Sequence, residues 1–143
     1  MIIESQAVGP FFKNGFVVGC EKTRQAVLID PGDEVESLLA FATHPTAVIC
    51  GNDVLAMGAV LECHAQGIAV PEAVSVTGFD DMEAASILVP ALTTVRVPMR
   101  ELGYAAAQQI LAHIGGKAGA RVTELAVDLI VRGTTAPPRA GRR

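Results

Sequence analysis

Two stretches decide the fold: PTAVICGND at residues 45–53 and VSVTGFDD at residues 74–81. Residues 46–50 are continuously apolar, which is typical of a parallel strand covered on both faces. Asn52 is a good N-cap for a helix over residues 53–66, which Gly67 can end. Residues 74–79 are predicted to form the next strand. Two parallel strands joined by a helix predict a right-handed βαβ unit.

The flanking sequence extends this unit in both directions. Towards the C-terminus it predicts a short helix over residues 82–88, an extended run at 93–95, a helix from 98 to 114 and a strand at 125–131. Towards the N-terminus, apolar runs at 16–18 and 26–29 predict a β-hairpin, and a helix is expected over 34–41. We therefore expect an α/β fold with a mainly parallel or mixed sheet, helices on both faces and an N-terminal β-hairpin.

The division of the chain follows the same change of pattern. Residues 1–44 are predicted to be a hairpin-plus-helix appendage, residues 45–138 an α/β lobe and residues 139–143 a disordered basic tail. The 143 residues allow one core, and the composition of 50% hydrophobic but only 4% aromatic residues predicts an aliphatic core. The sequence shows neither a signal peptide nor a run long enough to span a membrane, which predicts a cytosolic chain without membrane contact.

Ligands of open parallel sheets gather where the strands end, and two such ends carry polar residues. Each of these ends places a carboxylate or carboxamide after a small residue. The two stretches are Cys50-Gly51-Asn52-Asp53 and Gly78-Phe79-Asp80-Asp81. These groups form paired hydrogen bonds with vicinal hydroxyls, so they suit a polyhydroxylated ligand. The alternative is that Asn52 and Asp80 only cap a helix and form a turn. Spacing alone leaves both interpretations open.

Residues 45–138 resemble the LacI/GalR family of bacterial transcription regulators. The resemblance is carried by several motifs in the same order as in the family: PTAVICGND (45–53), GIAVP (67–71), VSVTGFDD (74–81), PALTTVR (90–96), Leu102-Gly103 and LIVRGTTAPP (129–138). It implies part of a periplasmic-binding-protein-like domain whose two lobes close on a sugar or a nucleobase.

The resemblance also implies roles for individual residues. Asn52 and Asp80 would contact the small-molecule effector from one lobe, and Val97 and Met99 would lie near it where the chain crosses towards the other lobe. Family members often carry a polar residue at the position of Val97. Met57 and Leu88 would contribute apolar contacts to a homodimer interface, although core packing is an equally good interpretation of Met57.

The departures from the family limit what this sequence predicts. We find no helix-turn-helix, so no direct DNA contact is expected, and neither the first lobe nor the opening half of the second has a counterpart here. A ligand held from one side loses burial and hydrogen bonds, which predicts weak binding. The helix over 98–114 would pack on the first lobe, so its stripe of Met99, Leu102, Ala106, Ile110 and His113 needs another partner.

Residues 1–42 resemble the start of a metallo-β-lactamase-fold hydrolase of the glyoxalase II type. The stretches VGPF (8–11), VGC (18–20) and AVLIDPGD (26–33), with Asn14, carry this resemblance. The HxHxDH metal motif that should follow is absent, and a lone His44 cannot bind two metals. The combination indicates a fusion with a junction near residues 42–45.

Other chemistry finds little support in the residues. The three cysteines are never spaced as CxxC, and no serine lies in a GxSxG elbow. His64 and His113 lack ligand partners at helical spacing and favour surface or packing roles. Cys50 is either a thiol activated by the helix N-terminus or a small buried hydrophobe. We predict no catalytic residues, no metal and no cofactor.

Three hypotheses follow. The first is a truncated or chimeric, non-enzymatic effector-binding module of a LacI-type regulator, which binds a sugar-like ligand weakly or self-associates. The second is a metallo-β-lactamase-fold remnant that lacks its metal motif. The third is a partner that associates with a full-length regulator through the helix after Asn52.

Overall fold

The computed structural model describes residues 1–8, 13–23, 25–30, 45–116 and 122–137. Within these ranges it contains seven strands and three helices: β1 (Ile2–Val8), β2 (Lys13–Gly19), β3 (Ala26–Ile29), β4 (Pro45–Ile49), α1 (Asp53–Ala65), β5 (Ser75–Thr77), α2 (Glu83–Ile87), β6 (Thr94–Arg96), α3 (Met99–Ile114) and β7 (Asp128–Ile130). The helix predicted over 34–41 and the tail at 139–143 lie outside the described residues.

Five strands form a mixed sheet in the order β1-β2-β3-β4-β5. β1 and β2 are antiparallel, as are β2 and β3, whereas β3, β4 and β5 run parallel. This confirms the predicted α/β class, the hairpin that β2 and β3 form, and the βαβ unit of β4, α1 and β5. β1 was not predicted. β3 pairs with β4, so the hairpin extends the parallel sheet within one chain.

β6 and β7 form a separate antiparallel pair that is joined to β5. Single parallel bridges connect Thr77 with Thr93 and Asp80 with Arg96. Two backbone amides reinforce the junction: Gly78 N–H donates to the Thr93 carbonyl and Asp80 N–H to the Val95 carbonyl, both at 2.9 Å. β3, β4, β5 and β6 therefore run in the same direction, and their carboxyl ends face one rim of the sheet.

The core lies between α1 and the sheet. α1 buries a stripe at the helical spacing of i, i+3, i+4 and i+7, made of Ala56, Ala59, Val60 and Cys63. Leu28 of β3, Val48 of β4 and Val76 of β5 belong to the same cluster. The segments on either side of residue 44 thus share one core. Whether residues 1–44 and 45–138 are separate units stays a prediction.

The other surfaces are covered less completely. Ile29 and Ile49, at the ends of neighbouring strands, are exposed, so no described helix covers this part of the second sheet face. α3 has no buried residue along its sixteen positions, and Met99, Leu102 and Ile110 of the predicted stripe are exposed. The apolar stripe of α3 has no cover within the described part of the chain.

Leu28→Ala tests whether the hairpin and the βαβ unit share one core. Leu28 is fully buried, so we expect the free energy of unfolding to fall by about 2–5 kcal/mol. Chemical denaturation measures the change, and Leu129→Ala is the matched control because Leu129 is 65% exposed on β7. A loss at Leu28 no larger than at Leu129 would contradict the shared core.

Candidate ligand-binding rim

Asn52 lies at the rim, three residues beyond the last paired residue of β4. Its extended backbone, with φ −157° and ψ 169°, places it at the N-cap of α1, where its Oδ1 atom accepts a 2.8 Å hydrogen bond from the Leu55 amide. The side chain amide group makes no hydrogen bond with the described residues. Asn52 is thus a helix cap whose two Nδ2 hydrogens have no acceptor among the described residues.

Asp80 occupies the corresponding position on the neighbouring strand. Ile49 pairs with Thr77, and Asn52 and Asp80 each follow these partners by three residues. The two side chains therefore start from equivalent points of adjacent parallel strands. The Asp80 carboxylate is half-buried and has no hydrogen-bond partner in the described ranges. The structure brings Asn52 and Asp80 to the same rim, while their contact with a ligand stays a prediction.

The turn that carries Asp80 has an unfavourable backbone. Asp80 has a φ of 109° and Asp81 a φ of 59°, a region that residues with a Cβ atom rarely adopt. Such conformations cost roughly 1–3 kcal/mol each and persist where the surroundings impose them. They concentrate at functional sites, and this turn places two such residues next to each other at the rim.

Asp81 is held by two arginines. Arg132 Nη2 donates to one carboxylate oxygen at 2.6 Å and Arg96 Nε to the other at 2.7 Å. Burial alone would raise the pKa of Asp81, but the hydrogen bonds from Arg132 and Arg96 lower that pKa below its usual value. Both oxygens of Asp81 are therefore occupied by protein donors, and its charge is neutralised within the fold.

Asp53 ties the same turn to the helix. Its carboxylate is fully buried and accepts hydrogen bonds from the Thr94 hydroxyl at 2.5 Å and from the Met82 amide at 2.7 Å. A Cβ atom at position 78 would collide with this carboxylate, so only glycine fits there. Asp53, which the sequence analysis treated as part of the rim motif, is a structural group that joins α1, β6 and the turn.

Asp30 is a rim residue that the sequence analysis did not identify. It directly follows β3, its amide donates to the Ile49 carbonyl at 2.7 Å, and its backbone φ is 48°. Its carboxylate lies over Gly51, where a built Cβ atom would be 2.9 Å from Oδ1. The sequence signal was the Asp30-Pro31-Gly32 strand end, which gained meaning only when β3 paired in parallel with β4.

Val97 and Met99 follow the carboxyl end of β6 and so lie towards the same rim. Val97 is half-buried and Met99 is exposed at the start of α3. The Met99 amide donates to the Val97 carbonyl at 2.8 Å, which makes a tight turn between strand and helix. Their proximity to a ligand remains a prediction.

Met57 and Leu88, the predicted interface residues, are both half-buried and pack against the chain's own core. Their exposed neighbours are Val54 and Leu61 on α1, and Ile87 and Val89 at the end of α2. The Met82 amide contacts Asp53, so the beginnings of α1 and α2 adjoin. The role of Met57 and Leu88 in a dimer stays a prediction. The exposed apolar side chains around them are those of Val54, Leu61, Ile87 and Val89.

Cys50 was predicted to be either a thiol activated by the helix N-terminus or a small buried hydrophobe, and its burial favours the second alternative. Burial raises its pKa to about 12, and the Asp30 carboxylate and Cys63 add to this. Burial also raises the pKa of Cys63. Cys20 is exposed, and a hydrogen bond with the Thr23 side chain lowers its pKa. The thiol beside the rim is therefore protonated near neutral pH and is a poor nucleophile.

A cavity of about 390 Å³ lies at the opposite end of the sheet from the rim. Val18, Cys20, Ala26 and Thr46 are among its lining residues, and they lie at the end of β2 and the beginnings of β3 and β4. Asn52 and Asp80 follow strand ends and do not line it. The rim and this cavity are separate features.

The described residues contain no group of three or more His, Cys, Asp or Glu side chains placed to hold a metal ion. None of the described helices is both long and apolar enough to cross a membrane.

Comparisons with known proteins place this geometry in a family. Residues 14–135 match the periplasmic binding protein-like domain. The chain belongs to this family. The match begins within the segment assigned to the appendage and includes the parallel strands that form the rim, from β3 to β6.

Relatives of this periplasmic binding protein-like chain are transcription regulators, not enzymes. It is 39% identical to the repressor PurR of Pectobacterium atrosepticum over 71% of this chain and 30% of PurR. It is 41% identical to the regulator MalR of Streptomyces coelicolor over 68% of this chain and 29% of MalR. The chain thus spans about 30% of the length of these curated relatives.

Solved structures agree with this assignment. The regulator GntR of Chromobacterium violaceum has a TM-score of 0.63 at 36% identity, over 72% of this chain and 38% of GntR. A complex of the regulator CelR with cellobiose has a TM-score of 0.65 at 30% identity. This match covers 70% of this chain and 31% of CelR. The resemblance to LacI-family regulators is confirmed, and that of residues 1–42 to metallo-β-lactamase-fold proteins stays a hypothesis.

Two substitutions of Asn52 distinguish the contribution of its Oδ1 atom to capping α1 from any contribution of its Nδ2 group to stability. We expect Asn52→Ala to lower the free energy of unfolding by about 1 kcal/mol, because the Leu55 amide loses its acceptor. Asn52→Ser should keep the stability nearly unchanged, since serine caps helices as well as asparagine does. Chemical denaturation of both variants measures this, and equal losses would show that Asn52 does more than cap.

Proposed function

We propose that this chain is a non-enzymatic effector-binding module that binds a small polyhydroxylated molecule at the rim formed by Asn52 and Asp80. One observation carries the proposal: two polar side chains, each with hydrogen-bonding atoms free of described partners, follow adjacent parallel strands at the same offset. The carboxylate accepts and the carboxamide donates hydrogen bonds, so together they match vicinal hydroxyls. Val97 and Met99 add an apolar contact surface beside them.

The chemistry of the relatives supports a sugar as the first class to test. CelR was solved with cellobiose, and a LacI-family regulator from Arthrobacter was solved with lactose at 25% identity to this chain. The second class is a nucleobase, which also presents adjacent donors and acceptors. Asp30 adds a third polar side chain on the next strand, so the rim spans three strands, or about 10 Å at the usual strand spacing.

Absence of catalysis is part of the proposal. Apart from Asp80 and Asp30, whose carboxylates we assign to ligand binding, the described rim combines the capping Asn52, the structural Asp53, the neutralised Asp81 and a protonated thiol. None of these groups is an activated nucleophile. The metallo-β-lactamase alternative is tested by elemental analysis of the purified chain. Stoichiometric zinc, iron or manganese would support that alternative against ours.

We further propose that two copies associate through the exposed apolar residues around α1 and α2. The first pair is Val54 and Leu61, one helical face of α1, and the second is Ile87 and Val89, at the end of α2. Met57 and Leu88 would support this surface from beneath. The same surface would serve association with a full-length regulator, and co-purification with one tests that third hypothesis.

Calorimetric titration tests effector binding directly. The panel is D-ribose, D-glucose, cellobiose, lactose and hypoxanthine. We expect at least one member to bind, and Asp80→Ala to weaken that binding about tenfold or more, as loss of a hydrogen bond to a charged group does. Glu72→Ala is the matched control, because Glu72 is an exposed carboxylate before β5 at the opposite end of the strand.

Two outcomes would contradict the binding proposal. The first is a wild-type chain that responds to no member of the panel. The second is a response that Asp80→Ala and Asn52→Ser leave unchanged, which would place the ligand away from the rim.

Sedimentation velocity at micromolar concentration tests self-association. We expect a dimer that Leu61→Lys converts to monomer, because a charge on the apolar face of α1 must be desolvated in the interface. Leu129→Lys, at an exposed position of β7, is the control and should leave the dimer intact. A monomeric wild type would refute the proposal, and a dimer that only Ile110→Lys dissociates would place the interface on α3 instead.

A further inference from the structure

The three residues Asp80, Asp81 and Met82, here called the aspartate turn, combine backbone strain with an unusual number of fixed contacts. Asp80 and Asp81 both have positive φ values, although neither is glycine. Strain of this kind persists only where neighbouring groups impose it. The groups that impose this strain also determine where the Asp80 carboxylate lies.

The first group acts through the side chain of Asp81. This side chain is only 8% exposed, and its two oxygens are bound by Arg132 at 2.6 Å and Arg96 at 2.7 Å. Because both oxygens are occupied, Asp81 has little capacity left to bind a ligand itself.

Arg132 is the better fixed of the two arginines. Its side chain is 17% exposed, against 54% for Arg96. It also donates from Nη1 to the Leu92 carbonyl at 2.9 Å, and its backbone amide donates to the Thr93 hydroxyl at 2.9 Å. Charge, planarity and multiple donors make such an arginine a rigid anchor.

The second group acts on the backbone at either end of the aspartate turn. The Asp80 amide donates to the Val95 carbonyl at 2.9 Å, and the Met82 amide donates to the buried Asp53 carboxylate at 2.7 Å. The backbone is thus fixed before and after Asp81. The Asp80 carboxylate is the one rim group in this turn left without a described partner.

We propose that Arg132 and Asp81 are positioning residues for effector binding: their ion pair holds the aspartate turn in its strained conformation and so directs the Asp80 carboxylate to the ligand rim. This inference rests on the proposed function for its consequence, but not for its structural part. It assigns a role in binding to a residue 51 positions away in sequence from its partner.

The test compares Arg132→Gln, Arg132→Lys and the control Lys22→Gln in the full chain. Lys22 is an exposed cation in the turn between β2 and β3, so its loss matches the change in charge without touching the rim. Titrations use the panel member that binds wild type, at a temperature where denaturation shows every variant to be fully folded. Under that condition a merely structural role leaves the dissociation constant unchanged.

We expect Arg132→Gln to raise the dissociation constant about tenfold or more, and Lys22→Gln to leave it unchanged. Arg132→Lys should recover part of the affinity, since it restores the charge but not the arginine's several donors. If Arg132→Gln does not fold, Asp81→Asn replaces it, because asparagine keeps the shape and tolerates positive φ. An unchanged dissociation constant in the folded variant would overturn the proposal.

Amide hydrogen exchange gives a readout that needs no ligand. Loss of the ion pair should speed exchange of the Asp80 amide by about tenfold or more relative to the Ala56 amide in α1. If wild type binds no panel member, the proposed function fails, yet this result would still show that Arg132 holds the aspartate turn. Unchanged exchange at Asp80 would refute the positioning role, whether or not a ligand binds.

Discussion

The parallel pairing of β4 with β5 is the constraint on which the rest of the structure depends. It sets Ile49 opposite Thr77, and this register brings Asn52 and Asp80 to one rim. The pairing is possible because α1 returns the chain across the sheet and buries its Ala56 stripe on it. A slip of one residue would turn each side chain of β5 to the other face and remove Val76 from the core.

The local signals in residues 45–81 were sufficient to predict the βαβ unit. A short apolar run, the Asn52 cap and the Gly67 stop each act within a few residues, so sequence alone reveals them. β1 was not predicted, because Glu4 and Ser5 interrupt its apolar residues and an edge strand is defined by its partner. Asp30 became a rim residue through the long-range pairing of β3 with β4, which no local pattern in the hairpin indicates.

The charges at the rim show the same distinction between local and distant causes. Sequence motifs located Asp53, Asp80 and Asp81 but could not assign their different roles. The fold buries Asp53 against Thr94, neutralises Asp81 with Arg96 and Arg132, and leaves the Asp80 carboxylate without a hydrogen-bond partner among the described residues. These assignments depend on contacts with residues 15 to 51 positions away in sequence. The function proposed for the rim follows from this difference: Asp53 and Asp81 are bound by other protein groups, whereas Asp80 is not bound by any described residue.

Scalar couplings across hydrogen bonds, measured by NMR on the labelled chain, test the central claim most directly. The account predicts a coupling from the Cys50 amide nitrogen to the Thr77 carbonyl carbon and another from the Asp80 nitrogen to the Val95 carbonyl carbon, since both bonds are 2.9 Å long. Together they would show that β4, β5 and β6 lie side by side with their carboxyl ends at one rim. Rapid solvent exchange at the Cys50 and Asp80 amides, with neither coupling present, would contradict this arrangement of the strands.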